Sequence, residues 1–212
     1  VAELALAYIF ALARKLVSAN LTMRQGKWNK NKFLGMELTG KTLGIIGMGR
    51  IGQILAKKAS ALGMVIVYYD IRVLEQLDSE WKPLPLSEVL KQSDFISLHA
   101  SCEENNSYLI DEPQFRMMKK NAFLINTARG KLVNENALLN ALNNNVIAGA
   151  GIDVYCQEPC NNIALLQHDR IFATPHIGAS TGEAQYKIGQ EILQLIEEYQ
   201  KKKIVGGRYG IH

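Results

Sequence analysis

Lys41–Gly52 reads KTLGIIGMGRIG, and this stretch decides the fold. Leu43, Ile45 and Ile46 form a short apolar run with the character of a buried strand. Gly47, Gly49 and Gly52 follow at G-x-G-x-x-G spacing. Apolar residues then recur at Ile51, Ile54, Leu55, Ala59 and Leu62, which is helical spacing. A glycine run of this kind is weak by itself and informative between a strand and a helix. Gly47 permits the tight turn, Gly49 admits a pyrophosphate close to the backbone, and Gly52 lets helix and strand pack closely. The free N–H groups and positive end of the helix, which Arg50 and Ile51 open, then face the phosphates. The stretch predicts a bound dinucleotide.

A second apolar run, Val65–Tyr69, ends in Asp70. This carboxylate lies at about the expected distance, roughly 20 residues beyond the glycines, to accept hydrogen bonds from the adenosine ribose. It would repel the 2′-phosphate of NADP, so the reading favours NAD. Arg72, two positions on, is the residue able to receive such a phosphate.

Taken in order, the chain opens with an Ala- and Leu-rich helix over Val1–Val17, followed by a basic loop over Thr22–Lys32. After the first βαβ unit comes a loop with Pro83 and Pro85, then a short helix capped by Ser87. Phe95–Leu98 is a third strand ending at His99. A polar stretch, Ser101–Ser107, leads to a helix capped by Asp111 with Pro113 in its first turn. Ala122–Asn126 is a fourth strand, ending in Thr127-Ala128-Arg129-Gly130, and Asn134-Glu135 opens the next helix. Ala148–Ile152 is a fifth strand ending at Asp153, Ile171–Ala173 a sixth ending in Thr174-Pro175-His176, and a long helix runs from Thr181 to about Gln200. Apolar runs alternate with helical patterns and no hairpin turn joins them. The pattern predicts an α/β fold, a Rossmann-type doubly wound parallel sheet of about six strands. The expected division is an NAD-binding domain over residues 1–182 and a C-terminal helix and tail over residues 183–212.

In such sheets ligands bind beyond the carboxyl ends of the strands. Asp70, His99, Arg129, Asp153 and His176 all stand there. Arg129 is suited to a bidentate grip on a carboxylate. Glu158 precedes Pro159 in the loop after the fifth strand, and His176 follows Pro175 after the sixth. A carboxylate beside an imidazole favours its protonated form, which makes a proton donor for a carbonyl or, in reverse, a base. His99 reads equally as a neighbour of the cofactor and as a structural histidine.

Composition narrows the classes. The 212 residues include 24 Lys and Arg against 20 Asp and Glu, a net charge of +4 spread along the chain. Lys201–Lys203 reads as a solvated helix end, and no nucleic-acid patch stands out. Glu3, Arg14 and Lys15 interrupt the first apolar segment, which is too short to span a bilayer. Three cysteines, Cys102, Cys156 and Cys160, point to a reducing, cytoplasmic setting. Cys156, Cys160 and His168 match no common zinc spacing, so no metal is expected.

The stretches GKWNKNKFLGMELTGKTLGIIGMGRIG, INTARGKLVNENAL, AGAGIDVYCQEP and ATPHIGASTGEAQ resemble the D-isomer-specific 2-hydroxyacid dehydrogenases. The resemblance runs from Val1 to about Gln185. It implies roles position by position. Arg129 binds the substrate's carboxylate and carbonyl, and His176 is the proton donor and acceptor paired with Glu158. Gly47, Gly49, Arg50, Ile51 and Gly52 meet the pyrophosphate and Asp70 the ribose. His99 and Ala100 lie beside the cofactor, Thr127, Ala128 and Arg129 line the nicotinamide side, and Asp153 contacts its carboxamide. His176, Gly178 and Ala179 close over the ring. Ala100 and Ser101 depart from the Thr or Val, then Pro, usual after the matching histidine, and Lys131 replaces a common glycine. The resemblance further implies a homodimer with the first helix in its interface, and a preceding stretch that forms most of a substrate domain, towards which residues 183–212 return. ELTGKTLGIIG and GASTGEAQ lean towards members that act on 3-phospho-D-glycerate. Other expectations that the resemblance allows are a reductase of glyoxylate or hydroxypyruvate, and a non-catalytic NAD-sensing corepressor.

Overall fold

A computed structural model of the chain describes residues 1–74, 77–101 and 108–206. Cys102 with the polar stretch through Ser107, and the side chains of Lys201–Lys203, lie outside the described residues.

Apolar runs short enough to bury both faces become the strands. β1 (Thr42–Ile46), β2 (Val65–Tyr69), β3 (Lys82–Pro83), β4 (Phe95–Leu98), β5 (Phe123–Asn126), β6 (Gly149–Ile152) and β7 (Ile171–Ala173) form one parallel sheet in the order β3-β2-β1-β4-β5-β6-β7. The strand order reverses between β1 and β4, which opens a crevice beyond their carboxyl ends. β3 is the strand that the six apolar runs did not include. It holds two residues at the sheet edge, where Pro83, which lacks an N–H, is tolerated.

The helices take both faces. α1 (Ala2–Ala13) and α3 (Arg50–Ala61) pack on one side, where Ala5, Tyr8, Ile9, Leu55, Ala56 and Ala59 meet Leu43, Ile45 and Ile125. α4 (Leu86–Gln92), α5 (Glu112–Met117) and α6 (Glu135–Asn143) cover the other, with Leu90, Phe115 and Leu138 against Ile96, Leu98 and Leu124. Small residues let the layers close. Tyr8 lies against Gly151, where an added Cβ would come within 2.6 Å of its ring.

Local signals explain several helix starts. Asp111 closes a capping box with Gln114 at the start of α5, and the Asn134 side chain accepts from Asn136 N and Ala137 N at the start of α6. Two expectations are corrected. The first helix stops at Ala13 because Lys15 turns left-handed (φ 52°), and a second helix, α2 (Leu16–Arg24), occupies part of the expected basic loop. α4 starts at Leu86, with Pro85 at its cap position, so Ser87 is inside the helix and caps nothing.

After the four-residue α7 (Ile163–Leu166) and β7, the long α8 spans Gly182–Gly206. The chain divides into two compact units, Val1–His176 and Ile177–His212. No single helix among the described residues is long and apolar enough to cross a membrane.

Candidate active site and cofactor cleft

The three glycines after β1 do three different things. Gly47 has φ +95°, and a Cβ there would sit 2.6 Å from the His99 and Ala100 backbone. At Gly52 a Cβ would strike Gly47 O at 2.4 Å, so this glycine sets how closely α3 approaches the turn. A Cβ at Gly49 meets only Arg72, at 4.0 Å. The bare backbone there faces open space, as the approach of a pyrophosphate requires. Arg50 and Ile51 form the first turn of α3, whose leading N–H groups have no partner within the helix.

A cleft of about 700 Å³ opens at this point, lined by Gly47, Gly49, Asp70, Arg72, His99 and Ala100 among others. Asp70, at the end of β2, is tightly engaged. Its Oδ2 accepts from Met48 N at 2.9 Å, and its Oδ1 accepts from Arg72 N at 2.9 Å and from Arg72 Nε at 3.1 Å. Although burial acts to raise it, the hydrogen bonds from Arg72 and Met48 hold the Asp70 carboxyl below the usual range. Asp70 therefore anchors the glycine turn and holds Arg72 at the same time, a coupling not evident from the two positions in sequence.

His99 ends β4. Its Nε2 lies 2.8 Å from Ser97 Oγ, while its Nδ1 is buried without a partner among the described residues, and burial pushes its pKa down to about 4. Thr127 Oγ1, at the end of the adjacent strand β5, is likewise buried and without a partner among the described residues. Buried polar atoms are almost always satisfied. Two such atoms at neighbouring strand ends are places for a ligand's polar groups, and with the glycine cradle they fit a dinucleotide.

A second cleft, about 350 Å³, brings together Arg129, Lys131, Glu158 and His176. His176 Nδ1 and Glu158 Oε2 are 2.7 Å apart. The bond to His176 comes first among the causes that hold the Glu158 carboxyl below its usual range, so it remains an acceptor at neutral pH. An acceptor on Nδ1 requires Nδ1–H and leaves Nε2 for chemistry. His176 itself is held at φ 54°, an uncommon conformation for a non-glycine residue and one that recurs at functional sites. Arg129 is exposed, and the only hydrogen bond of its guanidinium among the described residues is from Nη1 to Ala128 O at 2.7 Å. Asn126 brackets this turn, with Nδ2 donating to Arg129 O and Oδ1 accepting from Ala128 N.

Asp153 is fully buried after β6, and its Oδ1 accepts from Thr174 Oγ1 at 2.5 Å. The Tyr8 hydroxyl reaches Ile152 O at 2.9 Å and Thr174 Oγ1 at 2.5 Å, and Tyr155 OH donates to Thr174 O at 2.8 Å. Burial raises the pKa values of both phenols, Tyr155 to about 12, so both stay donors. Of the expected residues of the first unit, Gly47, Gly49, Asp70, His99 and Ala100 line the first cleft and Arg129, Glu158 and His176 the second, whereas Arg50, Ile51, Gly52, Thr127, Ala128 and Asp153 line neither of these two. Gly178 and Ala179 belong to the second unit. Among the described residues no group of three or more His, Cys, Asp or Glu side chains could hold a metal ion. Tyr8, Asn126 and Glu135 were not anticipated. Asn134-Glu135 carried a helix-start signal, but nothing local marked the carboxylate's distant partners.

The NAD-binding domain of the D-isomer specific 2-hydroxyacid dehydrogenases matches residues 6–178. The chain belongs to this family. Its cofactor is NAD. A rat D-3-phosphoglycerate dehydrogenase is 39% identical over 97% of the chain, and a Thermococcus litoralis glyoxylate reductase is 41% identical over 96%. The chain spans 39% of the length of the first relative and 64% of the second. A D-lactate dehydrogenase from Aquifex aeolicus, solved with NAD and lactic acid, superposes with a TM-score of 0.88 at 31% identity, over 96% of this chain and 66% of that one.

Proposed function

We propose that the whole protein interconverts 3-phospho-D-glycerate and 3-phosphohydroxypyruvate, the D-3-phosphoglycerate dehydrogenase reaction that opens serine biosynthesis, and that this chain is its cofactor-binding part. The observation that carries a dehydrogenase reading is the Glu158–His176 pair in one cleft with Arg129. NAD, when bound, supplies the hydride acceptor. Arg129 grips the substrate carboxylate and orients C2. As the C2 hydride leaves with its two electrons, the hydroxyl proton passes to His176 Nε2, and Glu158 stabilises the resulting imidazolium through Nδ1. In reduction the same proton returns to the carbonyl oxygen.

Lys131 supports the phosphorylated substrate. It is an exposed second cation in the cleft of Arg129, with no ion pair among the described residues. A 2-keto acid with a phosphate meets both charges, whereas glyoxylate meets one. The ELTGKTLGIIG and GASTGEAQ runs favour the same substrate. A panel of 2-keto acids with NADH and the full-length protein tests this. Phosphohydroxypyruvate is expected to give the highest kcat/KM. Best turnover of glyoxylate or hydroxypyruvate would make the protein a reductase of those acids, and absence of any turnover would favour a non-catalytic NAD sensor. The cysteine usage supports a cytoplasmic setting.

A homodimer is part of this reading. No residue of α2 is buried, and Leu16, Leu21 and Met23 are all more than half exposed. Such a helix needs an apolar partner face, and a second copy supplies one. Sedimentation should give a dimer that Leu21→Glu dissociates. A monomeric wild type would refute it.

A further inference from the structure

We infer that Glu135 is a positioning residue that sets the Glu158–His176 pair against Arg129, an inference that rests on the dehydrogenase reading above. Asn134 caps α6, which places Glu135 at the first helical position. Its carboxylate leaves its own helix and spans to the loop after β6. Oε1 accepts from Cys156 N at 2.9 Å, and Oε2 accepts from Asn162 Nδ2 at 3.1 Å. One carboxylate therefore ties both ends of the segment from Cys156 to Asn162, and Glu158 lies inside that segment. The far end is locked further, because Asn162 Oδ1 accepts from Leu165 N at 3.2 Å to cap α7.

The near end rests on the turn that carries Arg129. A Cβ at Gly130 would come within 1.9 Å of the Tyr155 carbonyl, so the two backbones are in direct contact. The Cys156 thiol points to Gly130 O at 3.6 Å and to Val133 O at 3.7 Å. Burial first, and the Glu135 charge second, push that thiol up to about 11, so it remains a donor. Glu158 is then aimed from inside the tied segment, with Tyr155 N on Oε1 and His176 on Oε2. Bonds to a carboxylate are about twice as strong as neutral ones. Removing this carboxylate frees the loop that holds the pair in register with Arg129, and small displacements at a reacting centre are costly, on the order of 10²-fold for 1 Å.

The test uses Glu135→Ala and Glu135→Gln in the full-length protein. Glu135→Ala should lower kcat by about tenfold to a hundredfold with the Kd for NAD within about twofold of wild type. The hydrogen bond from His176 Nδ1–H to Glu158 should lengthen at the same time, moving the downfield proton resonance of that Nδ1–H upfield. Glu135→Gln keeps one acceptor and should recover part of both changes. A Glu135→Ala enzyme with wild-type kcat and Nδ1–H resonance, or one that loses only thermal stability, overturns the inference. The resonance provides a readout without turnover. Its position unchanged in Glu135→Ala overturns the inference whether or not the wild type is active. Failure of the wild type to turn over any 2-keto acid refutes only the dehydrogenase reading.

Discussion

Nδ1 of His176 stands 2.7 Å from Oε2 of Glu158, and Tyr155 N donates to the other carboxylate oxygen at 3.0 Å. Glu158 is thus fixed from both sides, and its carboxyl is held below the usual range chiefly by the histidine. A depressed carboxyl contributes stability above its unfolded pKa and loses it as pH falls through the folded value. Glu158→Gln should therefore be less stable than wild type at neutral pH, and the difference should close on acidification. Urea denaturation of both proteins across the acid range measures it. A gap independent of pH would show that the pair contributes nothing through charge.

His99 gives a second pH dependence, also acting through acid. Burial lowers it to about 4, from an ordinary value of 6.5. Between those values the unfolded chain is protonated at this position and the folded chain is not, so stability falls as pH drops from 6.5 to 4. At about 1.4 kcal/mol per pH unit, the loss reaches up to about 3 kcal/mol. His99→Gln cannot titrate and should flatten that part of the stability curve. An unchanged slope would place the acid sensitivity elsewhere.

The glycine turn separates folding from binding. Gly49→Ala meets nothing closer than 4.0 Å, so it should melt within a few degrees of wild type, yet its Cβ stands where the pyrophosphate approaches and should weaken NAD by tenfold or more. Gly47→Ala combines a left-handed φ with backbone overlap and should cost about 1–3 kcal/mol of stability. Calorimetry and thermal melts distinguish the two. Equal loss of stability in both would contradict the assigned roles.

Asp70 holds Arg72 by backbone and side chain together. NAD should bind at least tenfold more tightly than NADP. Asp70→Ala should weaken NAD and narrow that ratio, because Arg72 is then released to meet a 2′-phosphate. Tighter NADP binding by the wild type would reject the ribose role of Asp70.

The strands, the glycine turn and the strand-end polar residues were legible because each rests on local chemistry: apolar runs, backbone freedom, and caps such as Asn134. What escaped was long-range or marginal. α2 was hidden by the left-handed break at Lys15 and because its last turn, from Thr22 to Arg24, runs into the basic stretch that follows. β3 consists of two residues, one a proline, and pairs only at the sheet edge. The partners of Glu135 stand 21 and 27 residues away, and Tyr8 meets Thr174 across 166 residues. No sequence period encodes such contacts.

The central claim is that His176 moves the proton while the glycine cleft holds the cofactor. His176→Ala in the full-length protein, assayed for NADH-dependent keto-acid reduction beside NAD calorimetry, tests it most directly. The account predicts a fall in kcat of about 10²- to 10⁴-fold with NAD binding retained. Turnover at the wild-type rate would contradict it.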